Sequence, residues 1–415
     1  MLLFTTLVFA GNSLQGPEKR LAKEAGKLLD EQVELLETLT EQNSGTLNAE
    51  GVRATGELLR PELEALGFSV SWVEVEGRAG HLVADHPGDG GKRIVLVTHL
   101  DTVFEPDSSF QDFDPDGAIA RGPGVHDMKG GVVVALGALQ ALHARGLLEG
   151  VNVVFFGCGD EELPADDIAA TRGPLIELAK GADVALGFEG WDEDHPGIVT
   201  ARRGISTWTA EAKGNGGHSS RIFTEAMGYG AAYEAARFVD ALREDLPEEL
   251  LTYNVGLMAA GSTAALSRKG AKATGKKNRV PTTAWLAGDL RYISEEQRDR
   301  AAEKMEALAA DSLPGTSLEL EMHHAYPPMP PTDGNRALHA EVADIHAALG
   351  LRSVPEVDPL FRGAADVSFV APYVDVIDGL GPSGGGDHSP DEYVRLDDLS
   401  PATQRAALLL YRLSE

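Results

Sequence analysis

The spacing of hydrophobic residues predicts that helices alternate with buried strands in the first half of the chain. Short runs of mostly apolar residues at 94–97, 151–156 and 184–188 are typical of strands that are buried on both faces. Between the first two strands, a run at 130–144 has the length and the apolar content of a buried helix. Because such alternation is typical of α/β proteins, we expect a mostly parallel sheet with helices on both faces.

A different pattern begins near residue 200 and predicts a second domain. Apolar and polar residues alternate there, which is typical of antiparallel strands with one exposed face. We therefore predict a smaller α+β domain at 204–315, inserted into an α/β domain that is formed by 1–203 and 316–415. Within the insertion, we expect strands at 205–212, 251–257 and 283–290 and a helix at 226–242. In the α/β domain after it, we expect helices at 338–349 and 400–413 and a strand at 374–377.

The first residues predict export, with an alternative. The apolar run at 2–10 has the size of the hydrophobic part of a signal peptide and is too short to span a bilayer. The basic segment expected before such a run is missing, so we expect either a truncated signal peptide or merely the start of a strand or helix. We expect a periplasmic or secreted protein, with a cytoplasmic location as the alternative.

The composition excludes several classes of function. The 415 residues include 65 Asp and Glu against 36 Lys and Arg, which gives a formal net charge of −29. Such an acidic chain is not expected to bind nucleic acid or anionic membranes, because both need clustered cations. The one cysteine, Cys158, rules out a disulfide framework, and we interpret it as a small buried side chain. A large acidic globular enzyme remains, with many carboxylates available for metal binding.

Side chains of metal-binding types follow each of the three buried strands. In open α/β sheets the ligand crevice lies beyond the carboxyl ends of the strands, so these side chains should meet at one edge. The residues concerned are His99 and Asp101 after the first strand, Glu161 and Glu162 after the second, and Glu189 after the third.

Asp127 adds a carboxylate from the start of the expected helix at 130–144. An aspartate at this place can simply cap a helix. However, Gly130 and Gly131 indicate a close approach of the backbone to another group. The pair Glu161-Glu162 can likewise be a solvated charge run, or it can divide two roles between a metal ligand and a proton carrier.

Five ordered motifs together resemble a known family, the di-zinc hydrolases that include glutamate carboxypeptidase, acetylornithine deacetylase, succinyl-diaminopimelate desuccinylase and aminoacylase. The resemblance covers nearly the whole chain, and the glutamate carboxypeptidase branch is the most similar. The motifs are Asn-Ser-Gly-Thr at 43–46, His-Leu-Asp-Thr-Val at 99–103, Gly-Val-His-Asp-Met-Lys-Gly-Gly at 124–131, Gly-Asp-Glu-Glu at 159–162 and Asp-His-Ser-Pro-Asp-Glu-Tyr at 387–393.

The resemblance implies two zinc ions per subunit, with cobalt or manganese as substitutes. One zinc would be held by His99 and Glu189, the other by Glu162 and His388, and Asp127 would bridge them. Imidazole and carboxylate are ligands that zinc accepts in proteins. A carboxylate has two oxygens and can therefore bridge two metals that are ~3.5–4 Å apart.

The resemblance also implies roles for residues that do not bind metal. Asp101 would orient His99, and Glu161 would act as general base on the water between the metals and then as general acid. The peptide bond after Asp127 would be cis. His218 of the inserted domain would stabilise the oxyanion in the active site of a partner subunit, which implies a homodimer.

Three further residues are implied to bind a substrate that carries a free carboxylate. They are Asn254, Arg291 and Gly385, the last in a glycine loop. Relatives that release glutamate would show another arginine near 321–330. That stretch has no arginine here, so a glutamate side chain is in doubt and Arg362 is a candidate substitute.

The sequence thus predicts metal-dependent hydrolysis of amide bonds. The first hypothesis is a carboxypeptidase that releases a C-terminal amino acid, with glutamate as one candidate. The alternatives are an N-acyl-amino-acid deacylase and a catalytically silent homologue that binds metal. The expected partner is a small peptide or N-acyl amino acid with a free carboxylate.

One segment does not fit the acidic character of the chain. Six of the 36 basic residues lie within 268–279. This segment is interpreted either as a solvated hairpin or as an element that attracts substrate.

Overall fold

The computed structural model describes Leu14 and residues 16–267 and 269–415, and it divides into two units. The first unit comprises the chain up to Ala201 together with Pro331–Phe361 and Ala365–Glu415. The second comprises Arg202–Pro330 and Arg362–Ala364. The apolar run at 2–10 lies outside the described residues, so export stays a prediction.

Helices and strands are numbered here in chain order. The helices are α1 (Gly16–Ala25), α2 (Leu29–Glu41), α3 (Ala49–Ala65), α4 (Gly130–Ala144), α5 (Ile168–Thr171), α6 (Gly173–Lys180), α7 (Ala231–Asp245), α8 (Glu295–Ala310), α9 (Asp333–Leu349), α10 (Val367–Val370) and α11 (Leu396–Ser414). The strands are β1 (Ser69–Val73), β2 (His81–His86), β3 (Ile94–His99), β4 (Asp114–Asp116), β5 (Ile119–Arg121), β6 (Val153–Cys158), β7 (Val184–Gly187), β8 (Trp191–Asp192), β9 (Gly204–Gly214), β10 (Gly217–His218), β11 (Thr252–Gly261), β12 (Thr263–Ser267), β13 (Gly270–Thr274), β14 (Arg279–Val280), β15 (Thr283–Tyr292), β16 (Thr316–Tyr326), β17 (Asp375–Ile377), β18 (Ser383–Gly385) and β19 (Tyr393–Arg395). Among the described helices, none combines the length and the apolar character that crossing a bilayer requires.

The main sheet of the first unit has the order β1-β2-β6-β3-β7-β17. Strands β6, β3, β7 and β17 run parallel, whereas β1 and β2 form an antiparallel edge. Every residue of β3, β6 and β7 is buried, as expected from their largely apolar sequences. The prediction of a mostly parallel α/β sheet is therefore confirmed.

Helix α4 lies at the centre of the first unit. It is apolar on almost all sides, and it packs against α11, α1 and α2 as well as β3. A helix that is hydrophobic all round is stable only when it is enclosed on all sides. Consequently, α4 and the parallel strands share one core, and the start of α4 is fixed against the ends of those strands.

The second unit is built on an antiparallel sheet with the order β11-β15-β9-β16. Burial alternates along β9, so one face of the sheet is covered and the other is open. The covered face packs on α7 and α8, where Phe238 and Met305 are completely buried. A separate hairpin of β12 and β13 and a short pairing of β10 with β14 complete this unit.

Two expected boundaries differ from the structure. The insertion was expected to end at residue 315, whereas the second unit extends to Pro330, because β16 pairs with β9 along its length. The helix expected at 226–242 begins only at Ala231. Gly228 and Gly230 have φ values of 67° and 77°, which a right-handed helix does not accommodate.

Candidate active site

Three neighbouring parallel strands bring the predicted ligands to one edge of the main sheet. Strands β6, β3 and β7 lie side by side, so their carboxyl ends meet at the same edge. His99 is the last residue of β3, Glu161 and Glu162 follow β6, and Glu189 follows β7. The clustering that the sequence predicted at this edge is thus present.

Asp127 reaches the same edge from an irregular turn before α4. The turn begins with Gly124 at φ 76°, and the peptide bond between Asp127 and Met128 is cis, as the resemblance implied. A Cβ atom on Gly131 would lie 1.9 Å from the carbonyl oxygen of Phe188. Only glycine therefore lets α4 begin this close to the end of β7, which confirms the close approach expected there.

The Asp127 carboxylate lies at the centre of the cluster. One oxygen is 2.9 Å from His99 Nε2, and the other is 3.1 Å from His388 Nε2. His388 Nε2 is also 3.1 Å from Glu162 Oε2, while His99 Nε2 is 3.7 Å from Glu189 Oε1. Each oxygen of Asp127 thus faces a different histidine, and each histidine has a second carboxylate beside it.

The charges of these groups are strongly coupled. Hydrogen bonds with Asp127 and Glu162 raise the pKa of His388 to about 11. Burial and the Asp127 charge raise the pKa of Glu162 to about 7. Burial opposes ionisation of Asp127, yet the two histidines hold the pKa of that carboxyl below its usual range. The carboxylates of Asp127, Glu162 and Glu189 lie so close together that the cluster favours the binding of a cation.

Asp101 ties together two of the loops that form this edge. Its backbone oxygen lies 3.0 Å from His99 Nδ1, which leaves Nε2 of that ring facing the cluster. Its carboxylate accepts hydrogen bonds from the backbone N–H groups of Glu161 and Glu162, and from the hydroxyl of Thr46 at 2.7 Å. Asp101 therefore holds both the His99 ring and the loop after β6.

Glu161 lies beside the cluster and lines a small cavity. His99, Glu189 and Asp366 line the same cavity. Burial raises the pKa of the Glu161 carboxyl well above its ordinary value, and the charges of Asp366 and Glu189 raise it further. A buried carboxyl group with a raised pKa is suited to hold a proton and to pass it on.

Sequence reasoning assigned no role to Glu392, which holds the turn of Asp127. This residue is 1 % exposed, and its carboxylate accepts hydrogen bonds of 3.0 Å from the backbone N–H groups of Gly124, His126 and Asp127. Burial raises the pKa of Glu392 to about 7. The residue belongs to the motif at 387–393, but the sequence does not show which backbone groups need an acceptor.

His126 was also missed, and it connects the Asp127 turn with the loop of His388. The ring is buried, and its Nδ1 lies 2.6 Å from Asp387 Oδ1 while its Nε2 lies 3.0 Å from the carbonyl oxygen of Trp191. Burial opposes a charge on the ring, but Asp387 raises the pKa of His126. The predicted ligands Asp127 and His388 are thus joined through their immediate neighbours.

A buried ion network behind the loop of Glu161 has no counterpart in the sequence prediction. Arg172 is completely buried, and its guanidinium group donates to Asp160 and to Asp366, both at 2.6 Å. Asp160 directly precedes Glu161, and Asp366 lines the same cavity as Glu161. The network therefore links the loop after β6 to the segment before α10.

Two other predicted positions belong to the first unit. Gly385 lies in β18 opposite Tyr393 and is half-buried, so it offers backbone groups alone to a ligand. Cys158 is completely buried at the end of β6, as expected for a small packing residue.

His218 belongs to the second unit and is exposed. It lies in β10, and its Nδ1 accepts the backbone N–H of Ser220 at 3.3 Å, with the Ser220 hydroxyl at 2.9 Å. Because Nδ1 serves as acceptor, the proton of the neutral ring is on Nε2. His218 thus presents an N–H donor to its surroundings.

Asn254 and Arg291 lie on one face of the antiparallel sheet of the second unit. Asn254 is paired with Asp289, and Arg291 is paired with Thr252 two residues further along both strands. Residues two apart on a strand share a face, so the amide and the guanidinium lie on the same side of the sheet. Arg291 Nε donates to Asp289 at 3.2 Å, and Arg362 belongs to the same unit.

The donor set of the first unit fits a pair of divalent metal ions. Ligand atoms of His99, Asp127 and Glu162 all lie within 4.8 Å of one another. Imidazoles and carboxylates in this proportion suit zinc, cobalt and manganese. One carboxylate between two histidines, each with a carboxylate of its own, is the arrangement that two bridged metals require.

Comparison with known proteins gives a consistent result. Residues 95–412 match the family described as Peptidase family M20/M25/M40. Over 422 aligned residues the chain is 28% identical to carboxypeptidase G2 of Pseudomonas sp. (strain RS-16), which covers 99% of this chain and 96% of that protein. It is 24% identical over 390 residues to a succinyl-diaminopimelate desuccinylase of Delftia acidovorans, covering 90% of this chain and 94% of that protein.

A solved structure shows the same fold. The YXEP protein of Bacillus subtilis, described as a dinuclear metal binding peptidase from the M20 family, matches with a TM-score of 0.65 at 15% identity. The match covers 93% of this chain and 98% of that protein. At this identity the similarity extends to the mixed α/β architecture.

Proposed function

The chain belongs to peptidase family M20/M25/M40 and is a metal-dependent hydrolase of amide bonds, and on this basis we propose that it is a carboxypeptidase that releases a C-terminal amino acid. The observation that carries the proposal is the Asp127 carboxylate, whose two oxygens face His99 and His388 separately. The similarity to carboxypeptidase G2 over 99% of the chain supports the direction of cleavage.

We propose that the five residues around Asp127 bind two zinc ions, with cobalt or manganese as substitutes. His99 and Glu189 would hold one ion, Glu162 and His388 the other, and Asp127 both. When bound, the two ions supply Lewis acidity to the scissile carbonyl group and lower the pKa of water. The dinuclear site described for the Bacillus subtilis protein agrees with this stoichiometry.

Glu161 would move the proton in this reaction. Its carboxylate takes a proton from the attacking water and returns it to the nitrogen of the departing amino acid. Its raised pKa favours holding that proton between the two steps, because the enclosed carboxyl resists ionisation. Asp101 fixes the backbone of both Glu161 and Glu162, so that the proton carrier and the ligand keep their separate positions.

Residues of the second unit would position the substrate. The N–H of His218 Nε2 can donate to the carbonyl oxygen as negative charge develops on it. Arg291 and Asn254, on one sheet face, are suited to bind a terminal carboxylate by charge and by hydrogen bonds. We propose a homodimer in which His218 serves the active site of the other subunit. Light scattering of the purified protein tests the dimer directly.

An N-acyl-amino-acid deacylase is the second candidate. It would use the same metal ligands and the same proton carrier on an amide with a different acyl group. The similarity to a succinyl-diaminopimelate desuccinylase favours this candidate. A release screen over N-acyl amino acids, dipeptides and peptidyl-glutamates separates the two functions by the acyl groups that are accepted.

The test of the proposal combines this screen with Glu161→Gln. We expect the zinc-loaded protein to release C-terminal amino acids, and the variant to lose about 10²–10⁴-fold in kcat while it keeps both metals. Elemental analysis of the same samples measures the metal content. The matched control is Glu57→Gln, an exposed glutamate of α3. Retained turnover in Glu161→Gln would refute the role of Glu161 as proton carrier. If no substrate in the screen releases an amino acid in a metal-dependent way, the proposed carboxypeptidase function is refuted.

A further inference from the structure

Residues 263–280, from β12 to β14, are here called the basic hairpin, and they carry a concentration of positive charge. Its described cations are Lys269, Lys272, Lys276, Lys277 and Arg279, and all five are exposed. No Asp or Glu occurs from 250 to 288 in the sequence, although the whole chain has a net charge of −29. The acidic character of the protein is thus reversed locally.

The cations of the basic hairpin are not neutralised by the protein. Among the described residues, none of the five forms an ion pair, whereas other cations of the second unit do. Arg237 is paired with Glu234, Arg298 with Asp299, and Lys213 with Glu211. Five like charges on one short segment repel one another, so an anionic partner is favoured there.

The strands β12 and β13 of the basic hairpin are paired over five residues each. β12 and β13 pair from Thr263 opposite Thr274 to Ser267 opposite Gly270, and the hydroxyls of Thr263 and Thr274 are 2.6 Å apart. A strand of five residues is about 17 Å long. An extended peptide of about five residues has the same length, so its charges can lie along the hairpin.

The basic hairpin is joined directly to the strand of His218. β14 pairs with β10 so that Arg279 is opposite His218, and the N–H of Ser219 donates to the carbonyl oxygen of Asn278 at 3.0 Å. Lys276 and Lys277 directly precede this pairing. Arg279 and the two lysines that precede this pairing therefore lie next to His218 in the second unit.

We propose that the basic hairpin binds the part of the substrate that precedes the scissile bond, and that this part is an acidic peptide. The proposal rests on the proposed function, because it places substrate next to His218. A short acidic peptide fits better than nucleic acid or an anionic membrane. Those partners extend far beyond the hairpin and would meet the remaining chain, whose net charge without the six basic residues of 268–279 is −29 − 6 = −35.

The test compares two peptides that differ only in charge. Both end in an amino acid that the release screen shows to be accepted, preceded by acetylated tetraglutamate in one and tetraglutamine in the other. At low ionic strength we expect kcat/KM to be about 10-fold higher for the tetraglutamate peptide, and the preference to fall to about 2-fold in 0.5 M salt. Replacing Lys269, Lys272, Lys276 and Lys277 by Gln should abolish the preference and leave kcat/KM for the tetraglutamine peptide within about 2-fold.

The matched control carries the same loss of charge in the first unit. Its substitutions are Lys19→Gln, Lys23→Gln, Lys27→Gln and Lys92→Gln, all at exposed lysines. This control should keep the preference for tetraglutamate. An equal preference in the hairpin variant and the control would overturn the proposal, because net charge alone would then explain the effect.

Failure of the proposal can be told apart from failure of the proposed function. Metal-dependent release from tetraglutamine without any preference for tetraglutamate refutes the hairpin alone. Release from N-acetyl amino acids but from neither peptide also refutes it, because the substrate then does not extend that far. If the hairpin variant loses binding to an oligonucleotide or to phosphatidylserine vesicles and not the peptide preference, the partner is of another class. If none of these substrates is hydrolysed, the proposed function itself is wrong.

Discussion

At the scale of single residues, the Glu392 carboxylate shows how a side chain that is not a predicted metal ligand can position one that is, Asp127. It is buried and accepts three backbone N–H groups of the turn that carries Asp127. Three donors favour the ionised form, while burial favours the protonated form and raises the pKa of Glu392 to about 7. The turn is therefore held by a group that titrates near neutral pH.

This predicts a pH dependence of stability in the metal-free protein. A carboxyl whose pKa rises from 4.5 to about 7 on folding contributes stability that is complete below pH 4.5 and is lost as the pH rises through 7. Relative to Glu392→Gln, the free energy of unfolding of the wild type should fall by up to about 3 kcal/mol between pH 4.5 and 8. Urea denaturation at several pH values measures the difference. Parallel curves for the wild type and Glu392→Gln would contradict the prediction, and the exposed Glu37→Gln should parallel the wild type.

At the scale of elements, the buried network of Arg172 joins segments that are distant in sequence. The guanidinium group holds Asp160 beside the loop after β6, and Asp366 before α10. Removing the cation alone leaves two buried carboxylates without their partner. Such a loss is costly, whereas removing all three charges together is often nearly neutral.

We therefore expect Arg172→Met to lower the free energy of unfolding by about 3–5 kcal/mol. The triple variant Arg172→Met with Asp160→Asn and Asp366→Asn should recover most of this loss. Chemical denaturation of the four proteins, with Arg145→Met as the exposed control, provides the measurement. If the triple variant is as unstable as Arg172→Met, packing rather than charge explains the effect.

The elements that the sequence predicted best are those with the strongest hydrophobic pattern. β3 and β6 have uninterrupted apolar runs, and α4 is almost entirely apolar, so burial determines their structure. The ligands directly after these strands follow from the parallel order alone. Arg172 and Glu392 could not be found in this way, because their partners are backbone groups or residues far along the chain. β16 was assigned to the wrong domain, because its pairing with β9 is a long-range contact that local spacing does not reveal.

At the scale of the whole molecule, metal binding should be coupled to folding. The predicted ligands come from segments that span 99 to 388, and without a cation three carboxylates repel one another there. Ligands that bind only the folded state stabilise it by about 2.7 kcal/mol at 100 times their dissociation constant. Chelation should therefore lower Tm by about 3 °C for each ion that is removed, and added zinc should restore it. Calorimetry with and without chelator measures the shift; an unchanged Tm in a protein that elemental analysis shows to be stripped would argue against the metal centre.

The way in which β12 and β13 leave and rejoin the second unit also matters for protein engineering. The N–H of Thr282 donates to the carbonyl oxygen of Gly261 at 3.0 Å, and the hydroxyls of Thr263 and Thr274 meet just beyond. The chain therefore leaves the sheet of the second unit and returns to it at almost the same place. Residues 264–273 form a separate hairpin between these two points. We expect that another hairpin can replace 264–273 without altering the register of β11 against β15, so that Lys269 and Lys272 can be exchanged apart from Lys276, Lys277 and Arg279.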